Sequence, residues 1–195
     1  MDMPETNSLC SIRYCAQAVV AAIEGAQNDH ERLRSALLQA TEPFLARPDL
    51  FSLGVKRPGN HIDNSKYIYY DGALSMTLDQ LPQGLVVPPH DHGIWEALVI
   101  LKGSLRHIVY DRCDDGATAG HADLETVEDR VYTPHELALV MPPTEIHSFT
   151  ALEEETFIFT IVGGNYKPTR HYYNVAEQSY VVAAAGKQPK ANAAA

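Results

Sequence analysis

The chain has 195 residues, of which 45% are hydrophobic and 21% are charged, a composition typical of a folded globular protein and not of a disordered one. Its 15 basic and 25 acidic residues give a formal net charge of −10. No basic surplus is therefore available to replace the counterions of a nucleic acid, and we expect no nucleic-acid partner.

Cysteine usage and hydropathy predict the compartment. The three cysteines, Cys10, Cys15 and Cys113, are an odd and sparse set that argues against a secreted disulfide framework. The first six residues are acidic and lack the basic region of a signal peptide. No apolar run approaches the roughly 20 residues of a membrane span. We therefore expect a cytoplasmic protein without a membrane partner.

The first sixty residues are expected to form a helical cover. Apolar residues recur at helical spacing over residues 11–26 and again over residues 29–42, after which Pro43 is expected to end or kink the second helix. Two helices of this length bury too little apolar surface to fold alone. We therefore expect residues 1–60 to belong to the same domain as the segment that follows.

Residues 61–180 carry the signals of a β domain. Nine short runs rich in Tyr, Val, Ile and Leu are bounded by Gly, Pro, Asp or Asn and recur roughly every 8–12 residues. No helical segment between them is long enough to connect parallel strands. The pattern predicts a double-sheet jelly roll or a closed antiparallel barrel. Residues 181–195 lack a core signal and are expected to form a flexible tail.

A group of histidines and one glutamate predicts a metal site. His90 and His92 are two residues apart, so their side chains share one face of an extended strand, and Glu96 has the same parity. His147, at the start of a later strand, is expected to supply another ligand. Imidazole and carboxylate ligands suit Fe(II), Mn, Ni or Zn and leave positions open for substrate or O2. The absence of a thiolate ligand disfavours a structural zinc site.

Each of these residues also has an ordinary structural interpretation that involves no metal. A single histidine in a β domain is most often a surface or hydrogen-bonded residue. Two histidines on one strand face, with a glutamate in phase and glycines at both ends, are difficult to explain without a cation between them. We therefore interpret His90, His92, Glu96 and His147 as metal ligands.

Three further residues are candidates for contact with a substrate. Tyr69, from a cluster of tyrosines on one strand, would supply a hydroxyl to the cavity, although such a cluster more often serves packing. Arg106 would anchor an anionic group if its side chain points inward. Thr160, a small polar residue in an apolar run, would reach a position behind the metal ligands, or else bond to its own backbone.

The spacing from Gly84 to Gly103 resembles the first cupin motif: Gly, five residues, His-x-His, three residues, Glu, six residues, Gly. The second cupin motif keeps Pro142 and His147 but carries other residues at its glycine and asparagine positions, namely Glu136, Thr144 and Ala151. The resemblance implies a mainly β cupin double-stranded β-helix, a jelly-roll barrel, with the N-terminal helices packed against it.

Among the cupins, the chain resembles the cysteine dioxygenase-like thiol dioxygenases over most of residues 30–175. The segments that carry this likeness are residues 46–50, 90–92, 101–106, 146–148 and 162–164. The resemblance implies that His90, His92 and His147 hold a mononuclear non-haem iron, Fe(II), and that substrate and O2 bind at its open positions. Both oxygen atoms would then enter the product.

The chain also departs from that group. The group typically lacks the glutamate that is present here as Glu96, and its outer Ser, His and Tyr correspond to Thr160, Val162 and Gly164. A cysteine that crosslinks to the tyrosine in some members is Ala97, and no arginine occurs in residues 64–70 to hold a substrate carboxylate. Cysteine itself is therefore not the expected substrate.

Together these observations predict a metal-dependent oxidoreductase, a dioxygenase that acts with O2 on a small thiol or another metal-chelating organic molecule. One alternative is a non-oxidative metal cupin, an isomerase, lyase or decarboxylase that uses the cation as a Lewis acid. Another is a non-catalytic cupin that binds a small molecule. The residues carry no signal for the oligomeric state, and a homodimer is considered only by analogy with other cupins.

Overall fold

A computed structural model describes residues 9–58 and 62–184. The chain divides into two compact units between Leu53 and Gly54. The helical segment thus ends earlier than the expected boundary at residue 60, because residues 55 and 56 already pair as a strand of the second unit. Within the described residues, no helix combines the length and hydropathy that crossing a lipid bilayer requires.

The first unit contains two α-helices, α1 (Ile12–Ala26) and α2 (His30–Leu45), followed by a short 3-10 helix (Leu50–Ser52). Each α-helix begins at a side-chain cap. The Ser11 hydroxyl accepts a hydrogen bond from the Tyr14 N–H at 3.1 Å, and the Asp29 carboxylate accepts one from the Arg32 N–H at 2.9 Å. Both caps satisfy backbone donors that the first turn leaves open.

Helix α2 passes through Pro43 instead of ending there, so the predicted helix end was wrong. Pro43 lies in the last turn, where the missing N–H removes a single intrahelical hydrogen bond. The Ala46 N–H donates to the Glu42 carbonyl at 3.0 Å and closes the turn around the proline.

The second unit contains twelve strands within the described residues. They are β1 (Val55–Lys56), β2 (Asn64–Tyr70), β3 (Ser75–Leu81), β4 (Val86–His90), β5 (Glu96–Lys102), β6 (Leu105–Arg112), β7 (Leu124–Tyr132), β8 (Leu137–Val140), β9 (Ile146–Ala151), β10 (Thr156–Val162), β11 (Thr169–Asn174) and β12 (Ser179–Ala184). Sheet one has the order β1-β2-β3-β10-β5-β8, and sheet two has the order β12-β11-β4-β9-β6-β7. The predicted mainly β jelly-roll architecture is confirmed.

The nine predicted strands correspond to β2 to β10, and β1, β11 and β12 were not predicted. Strand β12 extends to Ala184 and pairs with β11, so residues 181–184 of the expected flexible tail belong to sheet two. Residues 185–195 lie outside the described part of the chain.

One apolar cluster is built from both sheets. It includes Leu81, Leu98, Ile100 and Ile158 from sheet one, and Val87, Leu105, Tyr132 and Phe149 from sheet two. Because side chains alternate along a strand, Glu96 shares a face with Leu98, and Thr160 shares a face with Ile158. The interior face of sheet one therefore changes from apolar to polar along β5 and β10, and we call the region around Glu96 and Thr160 the polar end of the interior.

The turn between β5 and β6 requires a glycine. Gly103 has a φ of 72°, and a Cβ atom there would lie 2.9 Å from the Thr156 Cα. Gly84 has a similar φ of 76° but no atom within 4 Å of a Cβ. Alanine is strained by the backbone at both positions, whereas only Gly103→Ala adds a clash.

We expect Gly103→Ala to lower the free energy of unfolding by about 1–3 kcal/mol more than Gly84→Ala does, the usual cost of overpacking. Urea unfolding of the two variants and the parent chain measures this difference. Equal losses in the two variants would show that the close approach of Thr156 is unimportant.

Candidate metal centre

Two histidines lie side by side on neighbouring strands of sheet two. His90, the last residue of β4, pairs with His147, the second residue of β9, so the two side chains point to the same face. His92 lies in the loop of residues 91–95, which crosses from β4 in sheet two to β5 in sheet one and turns at Gly93, where φ is 74°. The prediction that His90 and His92 share one regular strand was wrong, because β4 ends at His90.

The three imidazole rings meet at their Nε2 atoms. His92 Nε2 lies 3.1 Å from His90 Nε2 and 3.0 Å from His147 Nε2. The potential ligand atoms of all three residues lie within 4.8 Å of one another. Two nitrogen ligands at right angles, each about 2.1 Å from a shared ion, are about 3.0 Å apart. The two distances to His92 Nε2 therefore fit imidazoles at neighbouring positions around one first-row divalent metal ion.

The other ring nitrogens fix the orientation of the rings. His90 Nδ1 donates to the Pro88 carbonyl at 2.9 Å, which leaves the lone pair on its Nε2. His147 Nδ1 lies 2.8 Å from Nε2 of the buried His107. Burial, reinforced by the neighbouring histidines, holds the pKa of His92 and His147 well below the usual value. Both rings are therefore neutral, which is the form that binds a metal.

Glu96, the first residue of β5, brings a buried carboxylate to the same place from sheet one. Its Oε2 lies 3.8 Å from His92 Nε2, and its Oε1 lies 3.8 Å from His147 Nε2. The Tyr166 hydroxyl donates to Glu96 Oε2 at 2.5 Å. Burial raises the pKa of Glu96, and the Tyr166 hydrogen bond opposes this rise. Within the described residues, the tightest group of ligand-type atoms contains the three histidines alone, and Glu96 borders it.

Three residues that the sequence did not single out lie around the histidines and complete the polar end. The Tyr166 ring lies 5.4 Å from the His92 ring, between centroids. Arg170, a buried residue of β11, places its Cζ atom 4.1 Å from the centroid of the Tyr166 ring, a cation–π contact. Tyr172, two residues further along β11, stacks on His90 with the centroids 5.9 Å apart. An alternating reading of residues 169–174 as a strand would have placed Arg170 and Tyr172 on one face.

A family model described as PCO_ADO matches residues 18–194. The match covers most of the chain, including every described strand and all three histidines. The chain belongs to the PCO_ADO family of thiol dioxygenases. The resemblance to cysteine dioxygenase-like cupins is thereby confirmed at the level of the family.

Several solved structures are similar to this PCO_ADO family member at low identity. KdgF from Halomonas sp. is 17% identical with a TM-score of 0.39, covering 52% of this chain and 79% of that chain. A cupin superfamily protein from Desulfitobacterium hafniense is 14% identical with a TM-score of 0.38, covering 52% of this chain and 76% of that one. A hydroquinone 1,2-dioxygenase in complex with Cd2+ and 4-hydroxybenzonitrile is 8% identical with a TM-score of 0.40, covering 51% and 63%. No curated protein sequence matches the chain significantly.

Two of the three predicted substrate-contacting residues lie away from the triad. The half-exposed Arg106 guanidinium pairs with Asp129 on β7, with Nε 2.8 Å from Oδ1. Its neighbour His107 takes the inward position instead, because side chains alternate along β6. The Tyr69 hydroxyl donates to the Asp71 carboxylate at 2.9 Å. The structure therefore places the Arg106 guanidinium at the surface beside Asp129, and it pairs the Tyr69 hydroxyl with Asp71.

The third candidate, Thr160, is buried on the interior face and contacts a carboxylate that the sequence did not single out. Its hydroxyl donates to Asp79 Oδ2 at 2.9 Å, and the Thr77 hydroxyl donates to the same atom at 2.7 Å. Asp79 is 3% exposed, and burial raises its pKa despite the hydroxyl groups around it. Tyr67 lies opposite Thr77 on β3, and a bulge after Tyr67 pairs Tyr69 with Met76, so that Tyr69 faces the other side of the sheet.

The raised pKa of Asp79 predicts a pH-dependent contribution to stability. In the unfolded chain this carboxyl ionises near its ordinary pKa of about 3.9. The folded state opposes ionisation, so stability is complete below that pKa and is lost as the pH rises through the folded pKa. Asp79→Asn does not titrate, and it should gain stability relative to the parent chain as the pH rises above about 4. Urea unfolding of both proteins with a chelator present, at several pH values, checks this; a pH-independent difference would contradict it.

Proposed function

We propose that this chain is a mononuclear non-haem Fe(II) dioxygenase that oxidises a small thiol with O2. The observation that carries the proposal is the meeting of three imidazoles, with the His92 Nε2 atom 3.1 Å from that of His90 and 3.0 Å from that of His147, in a chain of a thiol dioxygenase family. In such a reaction both oxygen atoms of O2 enter the product, so that a thiol becomes a sulfinate without another reductant.

His90, His92 and His147 would hold the iron, and Glu96 is proposed as a fourth ligand. Glu96 needs to move by only about 0.8 Å to reach the spacing of neighbouring ligands, and its negative charge lowers the cost of a buried divalent cation. When bound, the iron would supply a site for substrate and O2 and activate the O2. Tyr166 orients the Glu96 carboxylate by donating to one of its oxygens.

The presence of Glu96 favours a second candidate, an oxygenase for a non-thiol chelating substrate. A carboxylate ligand lowers the charge of the centre and competes with an anionic thiolate for the metal. A diketone-like chelator would suffer less from this competition, because it can offer neutral oxygen donors. Family membership favours the thiol, and the choice depends on whether Glu96 ligates.

We expect His90→Ala and His147→Ala each to lose most of the bound metal, since each removes one of the proposed ligands. His30→Ala, which changes a histidine in the helical unit, is the control and should retain it. Metal analysis of the three variants, purified anaerobically without chelator, measures the content. If both ligand variants keep the metal content of the parent chain, the triad does not bind the metal.

Oxygen consumption on a panel of thiols, β-diketones and hydroxyketones tests the activity of the iron-loaded protein. Iron together with thiol-dependent uptake of one O2 per thiol supports the proposed function, and uptake with diketones alone supports the second candidate. Bound zinc or nickel without any O2 uptake would favour a non-oxidative or non-catalytic cupin instead.

Glu96→Ala should leave the fold intact and weaken iron binding, because it removes a buried carboxylate that faces two ligand nitrogens. Glu125→Ala, which changes an exposed carboxylate on β7, is the matched control. Circular dichroism checks the fold, and titration with Fe(II) under anaerobic conditions measures affinity. If Glu96→Ala binds iron and turns over substrate like the parent chain, Glu96 is not a ligand.

A further inference from the structure

The loop of residues 91–95 is bound by a carboxylate from another segment of the chain. Glu145, two residues before His147, accepts hydrogen bonds from three consecutive backbone N–H groups of this loop. Its Oε1 accepts from Gly93 at 2.8 Å, and its Oε2 accepts from Ile94 at 3.0 Å and from His92 at 3.3 Å. Hydrogen bonds to a carboxylate are stronger than those between neutral groups, so this contact fixes the backbone that carries His92.

A second residue, Lys167, also contacts this loop. The Lys167 N–H donates to the His92 carbonyl at 3.1 Å, and the Lys167 Nζ lies 4.0 Å from Glu145 Oε1. The aliphatic part of Lys167 packs on Gly93 so closely that a Cβ atom there would lie 2.0 Å from its Cε. The loop thus contacts both the Glu145 carboxylate and the Lys167 side chain.

Glu145 also faces the His92 ring. Its Oε2 lies 3.8 Å from His92 Nδ1, a buried atom that has no hydrogen-bond partner among the described residues. When Nε2 of a histidine binds a metal, Nδ1 carries the proton, and an outer carboxylate that accepts a hydrogen bond from this N–H orients the ring and strengthens the ligand. His90 and His147 already have such neighbours in the Pro88 carbonyl and His107.

We propose that Glu145 is the positioning residue of the metal centre: it ties the loop that carries His92 to the strand that carries His147. Strand pairing fixes His90 and His147, whereas the third ligand lies on a loop and has no strand register of its own. Through one side chain, Glu145 sets both the backbone position and the ring orientation of His92. This inference rests on the proposed metal-binding function.

The test is the dissociation constant for Co(II), measured by competition with a chelating dye, for the parent chain and Glu145→Gln. The amide cannot accept at both positions, so affinity should fall by about 10- to 100-fold, the usual effect of removing an outer partner of a ligand. Glu155→Gln, a carboxylate that pairs with Lys102 at the surface, is the matched control and should bind like the parent. The visible spectrum of bound Co(II) should change in Glu145→Gln, because the geometry of one ligand changes.

A merely structural role would appear differently. It would lower the thermal unfolding temperature of the metal-free variant while leaving the dissociation constant and the Co(II) spectrum of the folded protein at the parental values, and this result overturns the inference. If Glu145→Gln does not fold, Glu145→Asp keeps the charge but cannot reach all three N–H groups. It should lose at least threefold in affinity, and parental affinity again overturns the inference.

The two proposals fail in different ways. A parent chain that binds neither Co(II) nor Fe(II) removes the proposed function and this inference with it. A parent chain that binds metal, together with a Glu145→Gln variant that binds equally tightly with the same spectrum, overturns the role of Glu145 and leaves the proposed function untouched.

Discussion

The candidate metal centre depends on the register of one pair of antiparallel strands. Because His90 pairs with His147 across β4 and β9, two imidazoles leave sheet two beside each other, and only the third must come from elsewhere. A slip of one residue would turn one of them to the opposite face. The same two strands also pair Val87 with Phe149, and both of these side chains are buried in the apolar cluster. The register shifts by one residue between Val87 and His90, so His90 shares the buried face with Val87 although the two are three residues apart.

Burial and a nearby cation together prepare the polar end for a metal. Burial opposes charge on His92 and His147, and the positive charge of Arg170 lowers the pKa of both rings further. Burial raises the pKa of Glu96, and the same guanidinium opposes this rise by favouring the ionised form. Arg170 thus favours neutral imidazoles and an anionic carboxylate at the same time, which are the protonation states that a divalent cation requires.

The sequence predicts those elements whose buried face is apolar. Strands β2 to β10 correspond to runs rich in Tyr, Val, Ile and Leu that are bounded by turn residues, which is the local signal of a strand. Strand β11 was missed since its inward positions carry Arg170 and Tyr172, which interrupt the apolar pattern while serving the site. When the inward residues of a strand are polar or aromatic, the strand lacks the apolar pattern by which strands are recognised in a sequence.

The histidines could be predicted for a different reason. The spacing from Gly84 to Gly103 identifies His90 and His92 whether or not they lie on one regular strand. The wrong prediction of that strand therefore did not change which residues were chosen. Glu96 reaches the triad although the chain changes sheets between His92 and Glu96, where parity along one strand has no meaning. Long-range contacts such as that of Thr160 with Asp79 depend on which strands are neighbours, and no local pattern reports that.

The polar groups near the triad come from several elements of this chain. In the thiol dioxygenases that it resembles, the corresponding outer residues lie on a single strand. In place of an outer series on β10, a hydroxyl comes from Tyr166 in the following connection and a carboxylate comes from Asp79 on β3. Tyr166 is oriented by Glu96 and by the Arg170 guanidinium, and not by strand pairing. The surroundings of the triad can therefore change through a loop and a few side chains while the register of β4 and β9 stays the same. The register of β4 and β9 therefore positions His90 and His147 independently of the polar groups that surround them.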